Sequence, residues 1–126
     1  MPRFVIQEHH ARKLHYDLRL EMDGVLKSWA VPKKPPKKAD LKRLAIQVDD
    51  HRASYIDFEG VIEEGSYGAG EVTIWDEGTY DIESKKDDKI VFFLHGKVLS
   101  GRYTLIKMKW GMNQWLLLKT KNERKI

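Results

Sequence analysis

Asp23-Gly24 sits between LRLEM and VLKSWAV, and this pair constrains the fold more than any other feature of the chain. An Asp-Gly connection between two apolar-rich runs is the signature of a type I′ turn, whose two positive φ angles match the twist of a tight β-hairpin. Placing the turn also fixes the register. Met22 must face Val25, Arg19 must face Ser28, and Asp17 must face Ala30. Alternate side chains of a strand share a face. His15, Asp17, Arg19 and Glu21 therefore line one face, opposite Pro32, Ala30, Ser28 and Leu26. Tyr16, Leu18, Leu20 and Met22 line the other, opposite Val31, Trp29, Lys27 and Val25. One face is a partial core with a lysine out of place. The other is a polar row facing small residues, which leaves room for a ligand.

The rest of the chain reads as further strands: LAIQV (44–48), EVTIW (71–75), TYDIE (79–83), IVFFL (90–94), GRYTLIKM (101–108) and WLLLK (115–119). Turn signals separate them at Glu77-Gly78, KKDDK, His95-Gly96 and Gly111-Met112-Asn113. About eight short strands at this spacing predict a mainly β fold, a compact closed or nearly closed barrel. One or two short helices complete it, with a helical turn expected around Ala39–Arg43. Gly65–Gly70 (GSYGAG) lacks the Lys-Ser/Thr and the helix of a phosphate loop and reads as a turn or bulge. Trp29, Trp75, Trp110 and Trp115 are expected in the core or at its rims. There is no internal repeat. Residues 1–126 are expected to form a single domain, with 120–126 frayed at the end. The chain has no cysteine, which excludes thiolate metal sites, thiol nucleophiles and a disulfide framework. No apolar run approaches membrane-spanning length and no signal segment is evident, so a cytoplasmic protein, monomeric and without a membrane partner, is expected.

The chemistry is concentrated in EHHARKLHYDLRLE, which holds three of the five histidines. His15 and Asp17 share a strand face at a spacing of roughly 6.5–7 Å, so both can reach one ion. His9 cannot join them along a continuous strand, which would separate it from His15 by roughly 20 Å. Nor can it do so on a helix, where the two would stand about 240° apart. A bend within HARKL is required if His9 takes part. His51 ends LAIQV behind Asp49-Asp50, with Tyr55 four residues on. Two nearby carboxylates are expected to raise its pKa and hold it cationic. PKKPPKKADLKR carries Lys33, Lys34, Lys37, Lys38, Lys42 and Arg43 in a chain of net charge +4. That strip is read either as a solubilising loop or as a backbone-phosphate contact surface. Two other functions fit the same residues: a non-haem iron oxygenase with a His15/Asp17/His51 triad, and a non-catalytic barrel that grips single strands.

Three stretches carry a family resemblance: QEHHARKLHYDLRLEMDGVLKSWAVPK (7–33), LAIQVDDHRASYIDFEG (44–60) and EEGSYGAGEVTIWDEGTY (63–80). They resemble the 3′-phosphoesterase domain of prokaryotic ATP-dependent DNA ligase D and its free-standing archaeal relatives. The resemblance implies a β-barrel that processes DNA 3′ ends with manganese. It would remove a 3′-terminal ribonucleoside and then the exposed 3′-phosphate, leaving a 3′-hydroxyl. The substrate would be a primer-template end, and a ligase and polymerase of the end-joining pathway, fused or separate, would work beside it. By matching position, the metal ligands are His9, His15 and Asp17, and the catalytic residues are Arg19, His51 and Tyr55. Arg19, Lys33, Arg43 and His51 would contact the substrate phosphate or backbone, with Gln7, Ser28 and Asp49 as secondary candidates. The ligand set alone suits zinc, iron or cobalt as well as manganese. Arg19 is expected to fork onto phosphate oxygens and Tyr55 to bind phosphate or orient His51, with direct hydrolysis favoured over a phosphohistidine.

Overall fold

The hairpin forms as its turn chemistry requires. In a computed structural model of the chain, Asp23 and Gly24 take φ of 55° and 81°. They join β2 (Leu14–Met22) to β3 (Val25–Val31), with β1 (Arg3–His10) before them. Met22 faces Val25, Arg19 faces Ser28 and Asp17 faces Ala30, the expected register. The structure describes residues 1–39, 41–63, 69–109 and 111–121. Trp110, the last five residues of the expected frayed end and most of the GSYGAG turn lie outside them.

The remaining strands are β4 (Lys42–Arg52), β5 (Gly60–Ile62), β6 (Gly70–Lys86), β7 (Lys89–Gly96), β8 (Ser100–Lys107) and β9 (Gln114–Lys119). They follow the order β1-β2-β3-β4-β9-β8-β7-β6 around the barrel, and β1 pairs with β6 to close it. Each of these pairings is antiparallel. Closure removes the sheet edges that would otherwise template aggregation. β5 lies outside the ring and pairs with the start of β6.

Two expected features differ. EVTIW and TYDIE belong to one strand, because β6 runs through Glu77-Gly78 without turning. It pairs with β1 from Glu71 to Thr79 and with β7 from Gly78 onward, changing partners as it goes. At Gly78 a Cβ would collide with the His95 carbonyl, so the glycine permits close backbone approach. The neighbouring Asp76 is buried and accepts backbone N–H bonds from Glu77, Lys97, Val98 and Leu99 at 2.8–3.0 Å. That carboxylate ties the middle of β6 to the turn after β7. The helical turn expected at Ala39–Arg43 is also not formed among the described residues. Lys42 and Arg43 open β4, their backbone groups paired with Leu118 and Leu117. The helical element falls later, a 3-10 turn at Ala53–Asp57.

The barrel interior holds Phe4, Ile6, Leu18, Leu20, Trp29, Tyr80, Phe92, Leu94, Tyr103, Leu105, Trp115 and Leu117. Each large side chain buried this way contributes about 1.5–3 kcal/mol. Two of the phenols within it bond to carbonyls: Tyr80 donates to the Glu21 carbonyl at 2.6 Å and Tyr103 to the Pro36 carbonyl at 2.7 Å. Burial pushes the Tyr80 phenol up to about 12. A second, smaller cluster lies on the outer face, where Val5 and Leu26 meet Ile56 of the 3-10 turn, with Tyr55 and Ile74 against them. This cluster holds a roof over β1–β3, which is why those strands are buried on both faces. Among the described residues no helix is long and apolar enough to cross a membrane.

Candidate metal centre and phosphate site

The bend within HARKL is present. β1 and β2 form a hairpin around Ala11–Lys13, and the ladder sets His9 opposite His15 and Gln7 opposite Asp17. All four residues therefore share the outer face beneath the roof. His9 Nδ1 stands 3.4 Å from Asp17 Oδ2, and His15 Nε2 stands 3.3 Å from Asp17 Oδ1. The two imidazole rings are 4.7 Å apart. One ligand atom from each residue lies within 4.8 Å of the others. Two ligands each about 2.1 Å from a shared ion stand about 3.0–3.5 Å apart, so the His–Asp distances already suit a divalent cation and a small closure of the trio would bring all three onto one. Burial raises the Asp17 carboxyl pKa, but the His15 hydrogen bond and the Arg19, His15 and His9 charges outweigh it and bring it below the ordinary value. The same hydrogen bond, donated by His15 to Asp17, raises the His15 pKa against the effect of its burial.

Arg19 is 4% exposed, and its donors are largely committed. Nε donates to Gln7 Oε1 at 2.6 Å. Nη1 donates to Ser28 Oγ at 2.8 Å and approaches His51 Nδ1 at 2.9 Å. Nη2 lies 3.6 Å from Asp17 Oδ2. Of the five guanidinium N–H groups, the Nη2 pair is left to meet a ligand, so the expected two-nitrogen fork narrows to one nitrogen. Gln7 and Ser28 thus stand behind Arg19. Gln7 Nε2 also donates to the Phe58 carbonyl at 3.2 Å, fastening the roof to the same side chain.

His51 reaches this face because of a bulge. Strict alternation from Leu44 would turn it to the barrel interior. Between Leu26 and Ser28 of β3, however, the β4 register shifts by one, and Leu26 pairs with His51 while Ser28 pairs with Val48. Such bulges re-aim side chains. The shift also accounts for the misplaced Lys27, which sits at the bulge and binds Asp50 at 2.9 Å. His51 corrects one expectation. Burial, and then the Arg19 charge, lower its pKa despite Asp49. Asp50 is taken up by Lys27, and the guanidinium is the nearer charge, so the neutral form is favoured. Because arginine can only donate, His51 Nδ1 accepts from Nη1 and the proton resides on Nε2. The Asp49 carbonyl, 3.0 Å from Nδ1, becomes a partner when that nitrogen is protonated.

Tyr55, on the 3-10 turn, lies with its ring 5.1 Å from His51 and stacked at 4.7 Å on Phe58. The Arg19 guanidinium lies 5.0 Å from its ring centre. Burial raises the Tyr55 phenol, with Arg19 opposing, so it is a hydrogen-bond donor at neutral pH.

These groups surround a cavity of about 380 Å³ lined by His9, His15, Asp17, Arg19, Asp49, His51 and Tyr55, together with Ala30, Val48 and Ile62. Lys33 and Arg43 lie apart from it, in a second hollow of about 240 Å³ with Pro32, Lys42 and Leu44. Arg43 Nε donates to the Lys34 carbonyl at 2.8 Å. The oxygenase triad is not assembled: His9 joins His15 and Asp17, while His51 stands across Arg19 from them. Sequence reasoning missed Val48 and Ile62. Their signal is weak, since Val48 reads as one more apolar strand residue and β5 is three residues long.

Residues 7–107 match the DNA ligase D 3′-phosphoesterase domain family. Over 125 residues the chain is 52% identical to the multifunctional non-homologous end joining DNA repair protein LigD of Mycobacterium tuberculosis, covering 96% of this chain and 16% of that protein. The LigD proteins of Mycolicibacterium smegmatis (48%) and Pseudomonas aeruginosa (47%) match 97% and 95% of the chain, and 17% and 15% of their own lengths. The chain thus spans about a sixth of the length of these relatives. The match runs through both hairpin strands, the bulged β4 and the roof, the elements that build the cavity, and on this ground the chain belongs to the DNA ligase D 3′-phosphoesterase domain family.

Proposed function

We propose that this chain is a manganese-dependent phosphoesterase of DNA 3′ ends. It removes a 3′-terminal ribonucleoside and then the remaining 3′-phosphate, leaving a 3′-hydroxyl for a ligase or polymerase of end joining. The observation that carries the reading is the meeting of His9, His15 and Asp17 with the Nη2 edge of Arg19 in one cavity. A metal-binding trio beside a fixed guanidinium suits a phosphate ester. Manganese is the ion that the family resemblance implies; zinc and cobalt suit the same ligands.

The bound ion would supply Lewis acidity to a non-bridging phosphate oxygen. Arg19, held by Gln7 and Ser28 before substrate arrives, offers Nη2 to the charge that grows on the phosphoryl oxygens. Preorganised donors of this kind lose no energy to reorganisation during reaction. Neutral His51 offers its Nε2–H to the same group, and the Tyr55 hydroxyl offers a further donor. Water attacks phosphorus directly, the P–O bond to the departing nucleoside or primer breaks, and the water proton ends on the departing oxygen. Lys33 and Arg43 hold the primer backbone outside the cavity. We place the protein in the cytoplasm as a monomer acting beside a ligase and polymerase, fused or separate.

The test is incubation of primer-templates ending in one ribonucleotide, or in a 3′-phosphate, with manganese and with chelator. The expected product is a strand ending in 3′-hydroxyl, formed with the ion and not with chelator. Absence of ion-dependent product on both substrates overturns the reading.

A further inference from the structure

We propose that Ile62, the apolar side chain that β5 brings to the cavity, seats the terminal nucleoside that departs in the first reaction and takes no part in the second. The assignment rests on the reading above and deepens it.

Apolar side chains border the row of His9, His15, Asp17 and Arg19 on both sides, Ile62 of β5 on one and Ala30 of β3 with Val48 of β4 on the other. An apolar surface offers nothing to a phosphate but accepts the faces of a sugar and base. Ile62 turns inward on β5, while its neighbour Val61 points to solvent at 72% exposure. At about 380 Å³ the cavity is near the lower end of the range for small-ligand sites, roughly 300–1,000 Å³, so it encloses one nucleoside with its phosphate and not a strand.

Charge sets the direction of the strand. The hollow formed by Pro32, Lys33, Lys42, Arg43 and Leu44 lies at the end of β3 and the start of β4, and it attracts the continuing polyanion. Exposed Glu59 and Glu63 flank β5 on the other side. Glu59 also accepts the Ile74 N–H at 2.8 Å, which holds it beside that strand. Two carboxylates repel a further phosphate. A terminal nucleoside is the part of the substrate with no phosphate beyond it, and so it belongs at the β5 wall. When a 3′-phosphate is removed, nothing occupies that position.

The test is the ratio of the two activities in one preparation of Ile62→Ala, measured on strands ending in one ribonucleotide and in a 3′-phosphate. Because the same molecules perform both reactions, a misfolded fraction cancels. The ratio of kcat/KM for nucleoside removal to that for phosphate removal should fall about tenfold, the scale of lost apolar contact in a binding pocket. Ile62→Met should restore most of it. An unchanged ratio in Ile62→Ala, with both reactions present in the wild type, overturns the seat alone. A wild type that performs neither reaction overturns the reading beneath it, and the seat with it.

Discussion

Arg19 is the residue on which the candidate site turns, because it touches the group that could hold a metal, the roof and His51 at once. Lysine in its place keeps the charge but offers its donors from one point, which cannot serve Gln7, Ser28 and His51 together. Arg19→Lys should therefore lower kcat by about 10²–10³-fold, the usual loss for a transition-state donor, while divalent-ion affinity stays within a few-fold. Asp17→Asn should lose ion binding as well as turnover. Calorimetric titration with manganese beside single-turnover kinetics separates the two; an Arg19→Lys protein with wild-type kcat would break the assignment. His51 gives a second residue-scale prediction. Its pKa in the folded protein lies below the ordinary imidazole value, from burial and the Arg19 charge. The unfolded chain therefore binds the proton more readily. The contribution to stability is present above about pH 6.5 and is lost as pH falls through the folded value. Urea unfolding of wild type and His51→Asn should converge as the buffer is made acidic. Activity should fall in the same direction, since the imidazolium swaps its Arg19 bond for the Asp49 carbonyl. The neighbours of His51 in sequence could not reveal this, because the charge that matters belongs to Arg19, brought there by another strand.

At the scale of elements, what was legible in the sequence was local. Asp23-Gly24 carries its own register, and the demand for a bend between His9 and His15 followed from reach alone. The uninterrupted β6 and the β4 bulge were not legible, because partner strands distant in sequence decide them. Glu77-Gly78 has the composition of a turn, yet the pairing with β1 on one side and β7 on the other keeps it extended. The two glycines should respond differently to the same substitution. At Gly24 a Cβ meets nothing within 4 Å, so Gly24→Ala bears the backbone cost of positive φ, about 1–2 kcal/mol. At Gly78 the added carbon meets the His95 carbonyl, and the β6–β7 ladder must part to admit it. Gly78→Ala should lose about 3 kcal/mol or more. Chemical denaturation of both variants checks the order, and a Gly78→Ala protein as stable as Gly24→Ala would show that β6 yields there without cost.

Taken as a whole, the molecule carries its net charge of +4 unevenly, and the unevenness matters more than the total. The strip PKKPPKK is anchored: Pro35 and Pro36 are buried, Tyr103 donates to the Pro36 carbonyl, and Lys119 Nζ donates to the Lys37 carbonyl at 3.1 Å. A loop fixed to the barrel end by its backbone presents its lysines at set positions, and on this ground we propose the phosphate-contact reading over the solubilising one. Each phosphate contact on duplex DNA releases condensed counterions and steepens the dependence of log K on log salt by about 0.9. If Lys33 and Lys42 each hold one phosphate of the primer backbone, the Lys33→Ala/Lys42→Ala double variant should lower that slope by about 1.8. The loss should be the same for any primer sequence, because these contacts carry no base readout. It should leave kcat at saturating substrate near the wild-type value, because neither lysine lines the reacting cavity. Fluorescence anisotropy of a labelled primer-template across a salt series measures the slope directly. A slope equal to that of the wild type would return the strip to solubility alone and leave the cavity to bind its end without a track leading into it.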